Sequence, residues 1–237
     1  MAGHRAARLW YSPCRGRSRW QAADQGFKRA IELNPNYAAA RQFYAEYLIV
    51  CRRFDEALAE LEHVRQLDPL SLYVRMQAAV RLYFMRRYDE AVEQLREVVR
   101  MDNGYPLAYG LLWACYREKA MHGESVAAQL ESLRLNGFND GELNSLREAF
   151  AASGPRGFWR REIDLWKTRP GSLHFSSIFI AMNHAQLGET DEAFAWLERA
   201  RAARHSWLTE LSADPVWDPL RDDPRFAGLV ERVNIPL

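Results

Sequence analysis

The chain has 237 residues, 48% hydrophobic and 12% aromatic, with 32 basic against 31 acidic side chains and a formal charge of +1. That is ample apolar material for a core and excludes disorder by composition, while the near-neutral balance gives no reason to expect nucleic acid or an anionic membrane as partner. No run of 18 apolar residues could span a bilayer, no early apolar stretch is long enough for a secretory signal, and three widely spaced cysteines (Cys14, Cys51, Cys115) point away from a disulfide framework or zinc site and toward a reducing cytoplasm.

In chain order, the first 20 residues hold five arginines (Arg5, Arg8, Arg15, Arg17, Arg19) and no acid. Pro13 and Gly16 interrupt any amphipathic helix there, so 1–16 reads as an irregular Arg-rich segment rather than a transit peptide. Residues 17–33 then carry a helical pattern, Ala23, Phe27 and Ala30, which returns as Ala57, Leu61 and Val64 one unit later.

The strings RFDEAL from Arg53, RYDEAV from Arg87 and ETDEAF from Glu189 share one frame. Their alanines, Ala57, Ala91 and Ala193, are separated by 34 residues and then by 102, three times 34. A period of that length is the signature of stacked helix–turn–helix units. Turn formers keep the same spacing: Pro35, Pro69, Asn103, Gly137 and Gly171. The frame predicts helix pairs at 38–50 and 54–67, 72–84 and 88–101, 106–119 and 122–135, 140–152 and 155–168, and 174–187 and 190–203. The expected organisation is a half-unit over 17–37, units over 38–71, 72–105, 106–139, 140–173 and 174–204, and a closing segment over 205–237. An array opening in mid-unit leaves both readings open, a whole chain or a piece of a longer protein.

Small residues sit where paired helices must approach closely: Ala45, Ala79 and Ala181 on first helices, Ala57, Ala91 and Ala193 on second helices. Leu61, Leu95 and Leu197, then Val64, Val98 and Ala200, complete the stripe. In these positions the chain resembles the tetratricopeptide repeat family. The resemblance implies an all-α, right-handed α-solenoid. The family's tryptophan at the fourth position is replaced throughout, by Arg41, Arg75, Tyr109, Leu143 and Ser177. Units three and four depart further: Trp113 and Arg147 take the first small position, Ser125 and Trp159 the second, which predicts looser packing or altered angles.

The tail, ADPVWDPLRDDPRFAGLVERVNIPL, is similar to the ending of a bacterial group of such repeat regions, which commonly follow winged-helix regulators and sometimes kinases or cyclases. Asp214, Asp218 and Asp223 suit helix starts beside proline, and Trp217, Leu220, Phe226 and Leu229 supply an apolar face. We read 205–233 as a helical cap over the exposed solenoid end.

No phosphate loop, nucleophile elbow or H-E-x-x-H occurs, and His174 and His184 stand ten apart, so neither a catalytic set, a metal site nor a cofactor site is expected. The acid pairs Asp55–Glu56, Asp89–Glu90 and Asp191–Glu192 recur at second-helix starts, where negative charge suits the helix dipole. Glu93–Arg96 and Glu97–Arg100 read as a solvated helix face. The expected function is therefore non-enzymatic protein–protein interaction. The resemblance further implies that first-helix positions two, five, nine and twelve face a concave groove. From these, Gln42, Tyr73, Met76, Val80, Tyr83, Leu107 and Arg117 are the candidate partner-binding residues. Gln42 and Glu46 stand where the family places lysine and asparagine, so chaperone C-termini are not expected ligands. An apolar peptide or helix suits the patch, and so does contact with the chain itself, a second copy or an upstream effector domain. The alternative function is a regulatory or sensor segment of a larger bacterial signalling protein.

Overall fold

The computed structural model describes residues 17–68, 70–169 and 173–233, with side-chain surroundings for all of these except 17–19 and 173–175. The Arg-rich segment 1–16, Pro69, Gly171, the Phe175 side chain and residues 234–237 lie outside that description. The described chain is an all-α solenoid. Helix α1 (Arg17–Leu33) precedes the hairpins α2/α3 (Ala38–Val50, Phe54–Leu67), α4/α5 (Leu72–Phe84, Tyr88–Met101) and α6/α7 (Pro106–Glu118, His122–Leu135). Next come a kinked run α8 (Asp140–Thr168), the hairpin α9/α10 (Leu173–Leu187, Thr190–Ala202), 3₁₀ turns at Ser206–Glu210 and Pro215–Leu220, and α11 (Pro224–Val233).

Each first helix ends on a residue in the left-handed region, and these residues repeat at the array period: Arg52 (φ 58°), Arg86 (62°), Ala120 (55°), Gly154 (60°) and Gly188 (77°). At four of the five, the next N–H returns to a carbonyl in the last helical turn: Arg53 to Leu48 (2.7 Å), Arg87 to Leu82 (2.8 Å), Met121 to Tyr116 (2.9 Å) and Glu189 to His184 (2.9 Å). This is the Schellman closure that satisfies otherwise orphaned carbonyls. The next helix follows at once, and the acid pairs 55–56, 89–90 and 191–192 occupy the first turns of α3, α5 and α10. On α5, Arg100 pairs with Glu97, whereas Arg96 reaches across to the Tyr116 hydroxyl at 3.1 Å.

Packing follows the small residues. Ala45, Ala57, Ala79, Ala91, Ala181 and Ala193 are all fully buried where the helices cross, with Leu61, Leu95 and Leu197 beside them. In the third hairpin, Ser125 replaces alanine without leaving a polar orphan: its hydroxyl donates to the Trp113 carbonyl at 3.0 Å. The fourth unit is rearranged. Its two helical halves meet at Ser153–Gly154, with Pro155 starting the second half. Close approach moves to Gly157, where an added Cβ would sit 2.3 Å from the Ala149 carbonyl oxygen. Arg147 is therefore exposed and Trp159 only half-buried. A buried carboxylate ties this unit to both neighbours: Glu162 accepts from Gln129 Nε2 at 2.6 Å and from Asn183 Nδ2 at 3.0 Å. Burial pushes its pKa up, and those amides oppose the rise.

The final segment packs as a cap. Trp217, Leu220, Phe226 and Leu229 are buried. Asp214 accepts the Val216 N–H and Asp223 the Arg225 N–H, both at 2.9 Å, so two of the three proline-flanked acids start helical turns. Asp218 instead pairs with Arg86 (2.6 Å) and Arg221 (2.7 Å).

Candidate functional site

The cap segment also crosses the inside of the array. The Ser212 carbonyl accepts from Arg52 at 3.3 Å, just beyond α2. Asp214 accepts from the Tyr83 hydroxyl on α4 at 2.9 Å. The Val216 carbonyl accepts from Gln186 on α9 at 3.1 Å, and Trp207 meets Phe179 edge-on at 5.3 Å between centroids. One short segment can reach units one, two and five only if the array curves around it, so α2, α4 and α9 line the concave side.

Between that segment and the middle of the array lies a cavity of about 320 Å³. One wall is Val80, Tyr83 and Phe84 of α4, another Leu107, Leu111, Trp113, Ala114 and Arg117 of α6. Gln129, Ser132 and Leu133 of α7, Phe138, Trp166, Phe179 and Met182 continue it, and Trp207, Glu210, Asp214 and Val216 close it from the tail. Its size falls within the range of small-molecule pockets, roughly 300–1,000 Å³.

Of the seven groove candidates, Val80, Tyr83, Leu107 and Arg117 line this cavity, whereas Gln42, Tyr73 and Met76 do not. Tyr83 is 2% exposed and engaged by Asp214, and Met76 is buried. Leu107 is 52% exposed, Tyr73 lies on the surface with its hydroxyl donating to Glu46, and Gln42 and Val80 are half-buried. Arg117 spans its own helix and the groove: it donates to Glu118 at 2.8 Å and to the Tyr83 oxygen at 3.4 Å, with its guanidinium 4.7 Å above the Trp113 ring. The closing residues Trp207, Glu210 and Asp214 fall outside the repeat frame, and the tail's D-P motifs announce helix starts, not a groove wall.

Burial and charge set the electrostatics. Burial pushes the Glu210 pKa up to about 7, with the Asp214 charge adding to the rise and Arg81 opposing it. Asp214 is likewise raised by burial, against the pull of the Val216 N–H and the Tyr83 hydroxyl. Arg81 is completely buried, and desolvation lowers its pKa to about 10 despite the charges of Glu46 and Glu210. Among the described residues no cluster of His, Cys, Asp or Glu could hold a metal ion, and no helix is long and apolar enough to cross a membrane.

Residues 16–80, which hold α1, the hairpin α2/α3 and most of α4, match a model of the tetratricopeptide repeat family. No curated protein matches the chain in sequence. Among solved structures, yeast Tom70 aligns over 97% of this chain and 49% of its own, at 16% identity and a TM-score of 0.53. The APC/C hetero-tetramer Cut9–Hcn1 aligns over 87% of this chain and 45% of its own, at 14% identity and a TM-score of 0.52. The chain thus spans about half the length of each of those two. YrrB, described as a TPR protein with an unusual peptide-binding site, aligns over 79% of this chain and 96% of its own, at 18% identity and a TM-score of 0.47. Identities this low speak for the fold alone.

Proposed function

We propose that this solenoid is a non-catalytic protein-interaction module that docks a peptide or partner segment along the N-terminal stretch of its concave face. The observation that carries the reading is a repeated exposed position. Tyr73 and Leu107 stand 34 residues apart at the same place on successive first helices, both reach the surface, and Leu70, three residues before Tyr73, is exposed too. Every exposed large hydrophobic side chain among the described residues falls between Leu33 and Leu107. Apolar side chains spaced along a repeat face suit a partner's apolar side chains, and half-buried Gln42 adds a polar contact at one end.

Affinity capture with wild type and with the Leu107→Asp/Tyr73→Ala double variant tests this. The double variant should lose the partners that wild type retains, with little change in melting temperature. Identical captures by both would overturn the reading. A second reading, a regulatory segment of a larger signalling protein, is favoured by the cavity, which offers such a protein a place to sense a small molecule.

A further inference from the structure

We propose that the concave cavity is a small-molecule site for an uncharged, carbonyl-bearing ligand, with an aromatic or aliphatic body among Trp113, Phe179 and Trp207 and its oxygen on Nη1 of Arg117. The proposal rests on and deepens the sensing reading of this cavity, and is independent of partner docking around Tyr73.

Most of the polar lining is already matched. Gln129 donates to Glu162 (2.6 Å), Ser132 to the Pro106 carbonyl (3.2 Å) and Asn136 to the Ser132 carbonyl (2.8 Å). Arg169 pairs with Glu142 (3.3 Å) and lies over Phe138. Asp214 accepts from Tyr83 and from the Val216 N–H, and Glu210 is only half-buried, within reach of water. Arg117 differs, with a side chain only 4% exposed. One edge of its guanidinium is engaged: Nε and Nη2 donate to Glu118 at 3.1 and 2.8 Å, and Nη2 also reaches the Tyr83 oxygen at 3.4 Å. Nη1 is buried and has no hydrogen-bond partner among the described residues. Glu118 stands outside the cavity lining and Arg117 within it, which leaves the Nη1 corner to whatever enters. A donor shielded from water and left unpaired is unfavourable, and an arriving acceptor relieves it.

The charge balance selects an uncharged acceptor. Two arginines, Arg117 and Arg169, and two carboxylates, Glu210 and Asp214, line the cavity. Each arginine already holds a carboxylate of its own, Glu118 and Glu142, and the Tyr83 hydroxyl links Arg117 to Asp214. No positive excess remains to offset the desolvation of an anionic ligand. An ammonium group has no acceptor to give Nη1. A carbonyl costs less to bury and gains a charge-assisted hydrogen bond. The apolar walls take the rest of the ligand, as in most pockets of this size.

Three probes of one shape test this: benzylacetone, the alkene in which a methylene replaces its oxygen, and hydrocinnamate, in which a carboxylate replaces the methyl ketone. In isothermal titration calorimetry benzylacetone should bind wild type saturably at a single site, and hydrocinnamate at least about tenfold more weakly. The infrared carbonyl stretch of bound benzylacetone should fall below its frequency in hexane, as hydrogen bonding requires. Arg117→Lys, which keeps a charge beside Glu118, should weaken benzylacetone about tenfold more than the alkene, as loss of a bond to a charged donor does. Gly110→Leu should abolish binding by filling the cavity, because Gly110 lines it and a Cβ there meets Ser132 Oγ at an ordinary 3.6 Å. An unshifted carbonyl stretch, or equal losses of ketone and alkene in Arg117→Lys, overturns the role of Nη1. Hydrocinnamate binding as tightly as the ketone overturns the uncharged head and leaves the sensing reading standing. No saturable binding of benzylacetone, or undiminished binding by Gly110→Leu, overturns the site itself.

Discussion

Replacing Tyr83 with phenylalanine removes one hydroxyl and leaves the ring in place. That hydroxyl donates to Asp214 at 2.9 Å and accepts from Arg117 at 3.4 Å, in a side chain only 2% exposed. Asp214 keeps the Val216 N–H at 2.9 Å, so its carboxylate is weakened rather than abandoned. A hydrogen bond to a charged acceptor contributes about 1.5–3 kcal/mol, and loss of this one should cost an amount in that range. For a chain of this size the melting temperature should fall by roughly 5 °C. Tyr83→Ala, which also opens a void, should cost about 3–5 kcal/mol. Urea unfolding followed by tryptophan fluorescence and by far-ultraviolet dichroism measures both and reveals whether the transition is a single step. Asp214→Asn retains an oxygen for the Val216 N–H, so a cycle of Tyr83→Phe with Asp214→Asn isolates the pair. If Tyr83→Phe changes stability by less than about 0.5 kcal/mol, within the range of an ordinary surface substitution, the contact does not hold the tail in the groove.

Glu210→Gln should change how stability depends on pH. Its carboxyl titrates near 7 in the fold against an ordinary 4.5, because of burial and the nearby Asp214 charge, with Arg81 opposing and Glu46 adding to the rise. The folded state therefore holds a proton that the unfolded state releases, and wild type loses stability as pH climbs from about 4.5 to 7. The variant should match wild type near pH 4 and exceed it by up to about 3 kcal/mol at pH 8; equal stabilities at pH 8 would refute the assignment. Ala120→Gly should stabilise by about 0.5–1 kcal/mol, because Ala120 is exposed and holds φ at 55°, a conformation that favours glycine. A lower midpoint in urea for this variant would count against a strained turn there.

The repeat architecture was legible because its signals are chemical. The D-E-A strings combine a small crossing residue with helix-start acids, and prolines and glycines mark the turns between hairpins. The second period, the left-handed turn inside each hairpin, was hidden because three of its five positions are Arg52, Arg86 and Ala120 rather than glycine. The fourth unit could be placed by spacing, but its crossing at Gly157 escaped a frame that looked for small residues at 147 and 159. In the groove, position within the repeat pointed to Tyr83 and Arg117, yet Tyr83's partner lies 131 residues further on. Glu210 had no sequence mark at all: a single glutamate between Trp207 and Trp217 becomes notable only when the fold half-buries it near the Asp214 charge.

In an ordinary solenoid each hairpin touches only its neighbours, so stability accumulates along a line and growth can stop at any repeat. Here Arg52 meets Ser212, 160 residues later, and Tyr83 and Arg86 meet Asp214 and Asp218. The line is closed into something nearer a ring, whose early members depend on its last. Such long sequence separations slow folding and couple distant hairpins to one cooperative event. During synthesis the first hairpins emerge with their inner donors unmatched and stay so until the tail arrives. A chain halted at residue 204 would possess every hairpin and still lack what Tyr83 and Arg86 reach for.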